Sequence, residues 1–152
     1  MIHRSHRLRV GRVSLIGQVY HVTFATDQRA PVLADFWAAR AVIRVIRNAD
    51  ELKLSETHAL NVMPDHVHWL FTLQSGDLSQ LIGRVKTLSA RAIHHERAGS
   101  GVLWQRDFYD HAVRNDEALV EIARYNIVAN PLRAKLVDSV ADYPHWYARW
   151  LW

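Results

Sequence analysis

The chain has 152 residues, 49% of them hydrophobic, which is enough to bury one core and excludes a disordered protein. Without a cysteine it can form neither disulfides nor thiolate metal sites, so any metal must be held by histidine, carboxylate, amide or water. The formal charge is +4 and Lys53, Lys86 and Lys135 are the only lysines, so the positive charge is mostly arginine, whose planar fork suits phosphate and stacks on bases.

Residues 1–12 carry His3, Arg4, His6, Arg7, Arg9 and Arg12, with no acid before Asp27. They read as a basic arm, and both contact with nucleic acid and simple fraying stay open. No apolar run reaches membrane-spanning length and no secretory signal is evident, so a cytoplasmic protein with no membrane partner is expected. Gln18 to Thr26 alternates and is rich in β-branched and aromatic residues, which predicts a first strand, broken by Asp27 to Pro31. From Ala34 to Asn48, Phe36, Val42, Ile43, Val45 and Ile46 recur near helical period behind an Asp35 N-cap, leaving Arg40, Arg44 and Arg47 to face solvent.

Lys53 to Met63 and His66 to Leu73 read as a hairpin turning at Pro64-Asp65. Asp77 caps a second helix with an apolar stripe of Leu78, Leu81, Ile82, Val85, Leu88, Ala92 and Ile93, and its other side carries Arg84, Lys86, Arg91, His94 and His95. After Ala98 to Gly101, Val102 to Val113 holds a fourth strand, and Asn115 or Asp116 opens a third helix through about Ala129. Pro131 ends that helix and makes Asn130 a natural N-cap for a short helix through Val137. Strand, helix, strand, strand, helix, strand, then helices is the order of a single α+β domain over 1–152. It is ferredoxin-like, with an antiparallel sheet, helices on one face and an aromatic tail over 140–152.

In the hairpin, His66-Val67-His68 has a chemical consequence. Alternation in a strand sends His66 and His68 to one face and Val67, Trp69, Phe71 and Leu73 to the other, on a central strand. Two imidazoles side by side are half of a metal site, and equally a satisfied surface pair.

Met63-Pro64-Asp65-His66-Val67-His68, Leu103-Trp104-Gln105-Arg106-Asp107-Phe108-Tyr109-Asp110-His111, Ala123-Arg124-Tyr125, Asn130-Pro131-Leu132-Arg133-Ala134 and Asp142-Tyr143-Pro144 resemble, in order, the REP-associated tyrosine transposases. These are single-tyrosine HUH transposases, and the resemblance runs from about Gly17 to the end of the chain. It implies a nucleoid-associated enzyme that cuts and rejoins single-stranded DNA near hairpins of repetitive palindromic elements through a covalent 5′-phosphotyrosine. Carried over, Tyr125 is the nucleophile and His66 and His68 hold Mg²⁺ or Mn²⁺, with Asn130 as the third ligand. The partner implied is single-stranded or hairpin DNA, contacted by Arg84, Lys86, Arg91, Arg106 and Arg133 and by Arg4, Arg7, Arg9 and Arg12 of the arm; a homodimer is left open.

The family places its asparagine four residues after the tyrosine, whereas Tyr125 and Asn130 are five apart. In an α-helix five positions rotate by about 140°, so the two would not share a face. A π-bulge or an early helix end between them is therefore predicted. Without one, the reading falls back to a catalytically inactive hairpin-DNA-binding protein of the same fold. His58 and His111 read as packing or hydrogen-bonding residues and Trp104 as buried. Among Tyr143, His145, Trp146, Tyr147, Trp150 and Trp152, stacking on unpaired bases competes with packing. Trp146 is assigned to packing, and Trp150 and Trp152 are left open. A nucleotide hydrolase of the histidine-triad type fits badly, because Leu70 stands where its third histidine belongs.

Overall fold

The computed structural model describes residues 14–114, 116–139 and 143–149. Arg4, Arg7, Arg9, Arg12, Trp150 and Trp152, and the side chains of Tyr125 and Arg133, lie outside the described residues. Five strands form one antiparallel sheet: β1 (Val19–Ala25), β2 (Ser55–Val62), β3 (His66–Leu73), β4 (Tyr109–Val113) and β5 (Trp146–Ala148), in the order β4-β1-β3-β2-β5. The central strand is β3, paired with β1 on one side and β2 on the other.

Alternation along β3 separates two faces, as the sequence implies. Val67, Trp69, Phe71 and Leu73 are fully buried and share a core with α1 (Phe36–Glu51) and α2 (Leu78–Arg97), which supply Val42, Ile46, Ile82 and Val85 among others. Each such aliphatic side chain contributes about 1.5–3 kcal/mol when fully buried. The Trp69 indole N–H donates to Thr57 Oγ1 at 2.9 Å, so the largest core residue leaves no polar atom stranded. Both helices start where expected: Asp35 accepts from the Ala38 N–H at 3.0 Å and Asp77 from the Gln80 N–H at 2.8 Å. Phe36, counted in the apolar period, is instead 48% exposed, because it opens the first turn of α1, whose inner side is taken by Ala38 and Ala39.

The other face carries His66, His68 and Leu70. Helices were expected on one face only; α1 and α2 obey that, while α3 (Asp116–Glu121) and the winding after it cover part of the second face. There Leu119, Ala123 and Ile127 pack on Ala59, Leu70 and Val113. A third helix therefore lies alongside the histidines.

Three local differences have physical causes. The fourth strand is shorter than expected, because Lys86 Nζ draws the carbonyls of Gln105 (2.8 Å) and Asp107 (2.9 Å) into a loop, leaving Trp104 in a single bridge to Thr26. Within the tail, Trp146–Ala148 pairs with β2 as a fifth strand, Trp146 packs on the second core, and Tyr143 and His145 are buried. The short helix that contains Pro131, α4, spans Asn130–Arg133 and does not reach Val137, and Ala129 rather than Asn130 occupies its cap position.

Candidate active site

Register places the polar residues of the second face. Thr23 lies opposite His68, Asn61 lies opposite His68 from the other side, and His21 lies opposite His111. Cross-strand partners project to the same face, so Tyr109, His111, His21, Thr23, His66, His68 and Asn61 form one polar strip.

The two imidazoles sit with ring centroids 4.9 Å apart, nearly edge to face. Each is oriented through Nδ1. His66 Nδ1 meets Asp65 Oδ1 at 2.7 Å, and the other oxygen of Asp65 accepts from Arg29 Nε at 3.0 Å. His68 Nδ1 lies 3.2 Å from both His21 Nε2 and Thr23 Oγ1. Partners on Nδ1 orient each ring and its tautomer, so Nε2 is the nitrogen that could ligate a cation.

Electrostatics support that tautomer. Burial, helped by the nearby charge of His111, lowers the His21 pKa to about 4, so His21 is neutral at neutral pH and its Nε2 can accept from His68 Nδ1–H. His66 is also lowered: its burial outweighs the Asp65 carboxylate, which acts to raise it, and a neutral imidazole is the form that binds metal. Burial acts to raise Asp65, yet hydrogen bonds from His66 and Arg29 outweigh it and hold the carboxyl below its ordinary range.

Asn130 arrives from the far end of the chain. After α3 the helix becomes π-wound over Ile122–Val128, and the Ala129 N–H donates to the Arg124 carbonyl five residues back, at 3.2 Å. A turn closed by such a bond holds one residue more than an α-helical turn. The extra residue is thus absorbed in the way the sequence requires. Asn61 pins this segment to the sheet, its Nδ2 donating to the Ile127 carbonyl at 2.6 Å. The Asn130 amide nitrogen lies 3.4 Å from His66 Nε2, so its side chain points at His66, and the cap position of α4 belongs to Ala129.

Two imidazoles and one amide fit a divalent cation with open positions for phosphate oxygen. Half a turn of the Asn130 amide exchanges its nitrogen for its oxygen beside His66 Nε2. Asn61 Oδ1, buried opposite His68, has no hydrogen-bond partner among the described residues and is further acceptor capacity on this face. Among the described residues no three His, Asp or Glu side chains form a metal-holding group, so a cation on this face would need an amide or open positions beside the two imidazoles.

The basic residues divide. Arg84, Lys86 and Arg91 belong to α2, behind the sheet, where Arg84 Nη2 donates to Asn48 Oδ1 at 3.0 Å and Lys86 holds the 105–107 loop. Arg91 and Arg106 are exposed. His58 is buried and bonded to Thr72 Oγ1 at 2.7 Å, while His111 lies at the exposed end of the strip. Sequence reasoning missed Arg29, His21, Thr23 and Asn61. Asp65 was inside the quoted motif, but the other four reach the histidines through strand register and loop path, for which one sequence offers no direct signal.

Comparison with known proteins gives the family and the fold. Residues 14–127 match the family model described as "Transposase IS200 like". A REP-associated tyrosine transposase of Escherichia coli K12 is 31% identical over 104 residues, 68% of this chain, and the chain spans about 58% of that relative's length. The structure of a REP-associated tyrosine transposase bound to a REP hairpin is similar with a TM-score of 0.69 and 28% identity, covering 89% of this chain and 79% of the other. A bacterial tRNA(His) guanylyltransferase-like protein in complex with GTP has a TM-score of 0.55 at 12% identity, over 92% of this chain and 75% of its own, a likeness of fold alone. By the extent of the family match, the chain belongs to the IS200-like transposases.

Proposed function

We propose that this chain is a metal-dependent endonuclease and strand transferase for single-stranded DNA, acting beside hairpins of repetitive palindromic elements, with Tyr125 as its nucleophile. The observation that carries this reading is the convergence of His66, His68 and the Asn130 amide at the end of a π-wound helix that includes position 125. The hairpin bound by the similar transposase supports the choice of substrate.

The Tyr125 hydroxyl attacks the scissile phosphorus, forming a tyrosyl ester with the 5′-phosphate. The bond from phosphorus to the 3′ oxygen breaks, and that oxygen leaves as a 3′-OH after taking a proton. Tyrosine, with an ordinary pKa of about 10, is a weak nucleophile at neutral pH and needs stabilisation of charge on the phosphate. When bound, Mg²⁺ or Mn²⁺ supplies that Lewis acidity, held by Nε2 of His66 and His68 and the amide of Asn130. Asp65, His21 and Thr23 keep both rings in the orientation and tautomer this requires. Ester exchange preserves the phosphodiester energy, so rejoining needs no energy cofactor.

The test is to incubate a labelled hairpin oligonucleotide with protein and Mn²⁺ and resolve it on a denaturing gel. A covalent protein–DNA band is expected, and it should vanish in Tyr125→Phe and fall at least about a hundredfold in His66→Ala. Hairpin binding without any adduct from the unaltered protein would overturn the enzyme reading in favour of an inactive hairpin-binding protein.

A further inference from the structure

We infer that the outer face of α1 is a docking surface for single-stranded DNA, with Phe36 and Trp37 stacking on unpaired bases and Arg40, Arg44 and Arg47 meeting the phosphates. This rests on the chain binding DNA, and is independent of whether it cuts DNA.

Trp37 is 64% exposed and Phe36 48%, an unusual state for side chains that normally sink into a core. Their rings stand edge to face with centroids 5.2 Å apart. At 100° per residue, Phe36, Arg47, Arg40, Arg44 and Trp37 all fall within an arc of about 100°. The opposite side of α1 is spent on the core through Ala38, Ala39, Val42, Ile46 and Ala49. The exposed arc is therefore not spare packing surface: it joins two large aromatics to three guanidinium groups.

Among the described residues none of those three arginines forms an ion pair; the Arg–acid pairs are Arg29–Asp65 and Arg149–Glu56. Asp35 spends its carboxylate on the helix cap, and the one acid along the arc, Glu51, stands at its far end. Three arginines with no ion pair among the described residues favour a polyanion. Exposed aromatic faces add a preference for bases that are not hidden in a duplex.

The position fits a strand leaving the imidazoles. The Leu33 N–H, just before α1, donates to the Pro64 carbonyl at 2.9 Å, in the turn that leads through Asp65 into His66. Phe36 lies 5.4 Å from the His145 ring, and the His145 carbonyl accepts from Val62 at the end of β2. The aromatic pair thus stands at the end of the sheet where His66 begins, and the arginines continue from it along the helix.

The inference is tested by fluorescence anisotropy in EDTA with two labelled probes, a blunt hairpin and the same hairpin with a single-stranded tail. The double variant Phe36→Ala/Trp37→Ala should weaken binding of the tailed probe about tenfold or more and leave the blunt probe within about twofold. Arg40→Gln/Arg44→Gln/Arg47→Gln should flatten the salt dependence of tailed-probe binding by about 2 in log–log slope, from about 0.7 per phosphate contact. Circular dichroism checks that each variant is folded. Unchanged affinity and slope in folded variants would overturn the inference. So would a variant that merely dissolves a dimer, seen by light scattering, while keeping its affinity for the tail. Because EDTA removes the metal, failure of the cutting assay and failure of this one are separate results.

Discussion

Asp65 and the pair His21 and Thr23 perform the same task on different rings: each engages the Nδ1 of one histidine, and in the proposed site that turns Nε2 to the metal. Asp65 is the charged member, held ionised by His66 and Arg29, so it also adds basicity to His66. Replacing it by Asn keeps the shape and removes the charge. Asp65→Asn should lower Mn²⁺ affinity by about 10–100-fold, measured by titration calorimetry on otherwise unaltered protein. Equal affinity would mean that His66 is oriented by the strand alone. The motif made His66, His68 and Asp65 legible from sequence, because they are neighbours in the chain. His21, Thr23 and Asn61 were not, since each meets His68 across a strand boundary and one sequence does not reveal register.

At the scale of elements, the decisive piece is the junction of α3, the π-wound Ile122–Val128 and α4. One surplus residue between Tyr125 and Asn130 was countable in the sequence, and the steric rule for an α-helix demanded that it be absorbed. The means of holding it was not countable. Asn61, near the end of β2, donates from its side chain to the Ile127 carbonyl. Asn61→Leu leaves that buried carbonyl unpaired and should cost about 1–3 kcal/mol of stability in urea unfolding. It should also reduce adduct formation, because the segment with position 125 loses its tie to the strip bearing His68. A variant as stable and active as the parent would show that packing of Ile127 alone sets the helix. The same contrast explains β4 and the tail: the strand pattern of 102–113 was visible, whereas the loop strung on Lys86 and the pairing of Trp146–Ala148 with β2 depend on partners far away in the chain.

For the whole molecule, the sheet divides the work. One face, with α1 and α2 packed on Trp69 and Phe71, supplies stability; the other brings residues from β1, β2, β3, β4 and α4 to one place. The C-terminal segment closes this assembly at the β2 edge, where the buried Tyr143 hydroxyl donates to the Val62 carbonyl. Burial pushes the Tyr143 pKa up to about 12, above the ordinary value near 10. A raised folded-state pKa means that the neutral phenol is the form the fold favours. Its contribution is complete below pH 10 and is lost as pH rises toward 12. Stability by chemical denaturation should therefore fall across that window, and Tyr143→Phe should be less stable at neutral pH but flatter from 10 to 12; parallel curves would remove Tyr143 from the closure. On the proposed reading the arrangement as a whole serves one event, attack of the Tyr125 phenol on a phosphate at the imidazole pair. Peptide mapping by mass spectrometry of the protein trapped on a hairpin oligonucleotide with Mn²⁺ tests this most directly. A nucleotide-5′-phosphate adduct on Tyr125 is expected; the adduct on Tyr109, exposed on the same face, or cleaved DNA with no modified tyrosine, would contradict it.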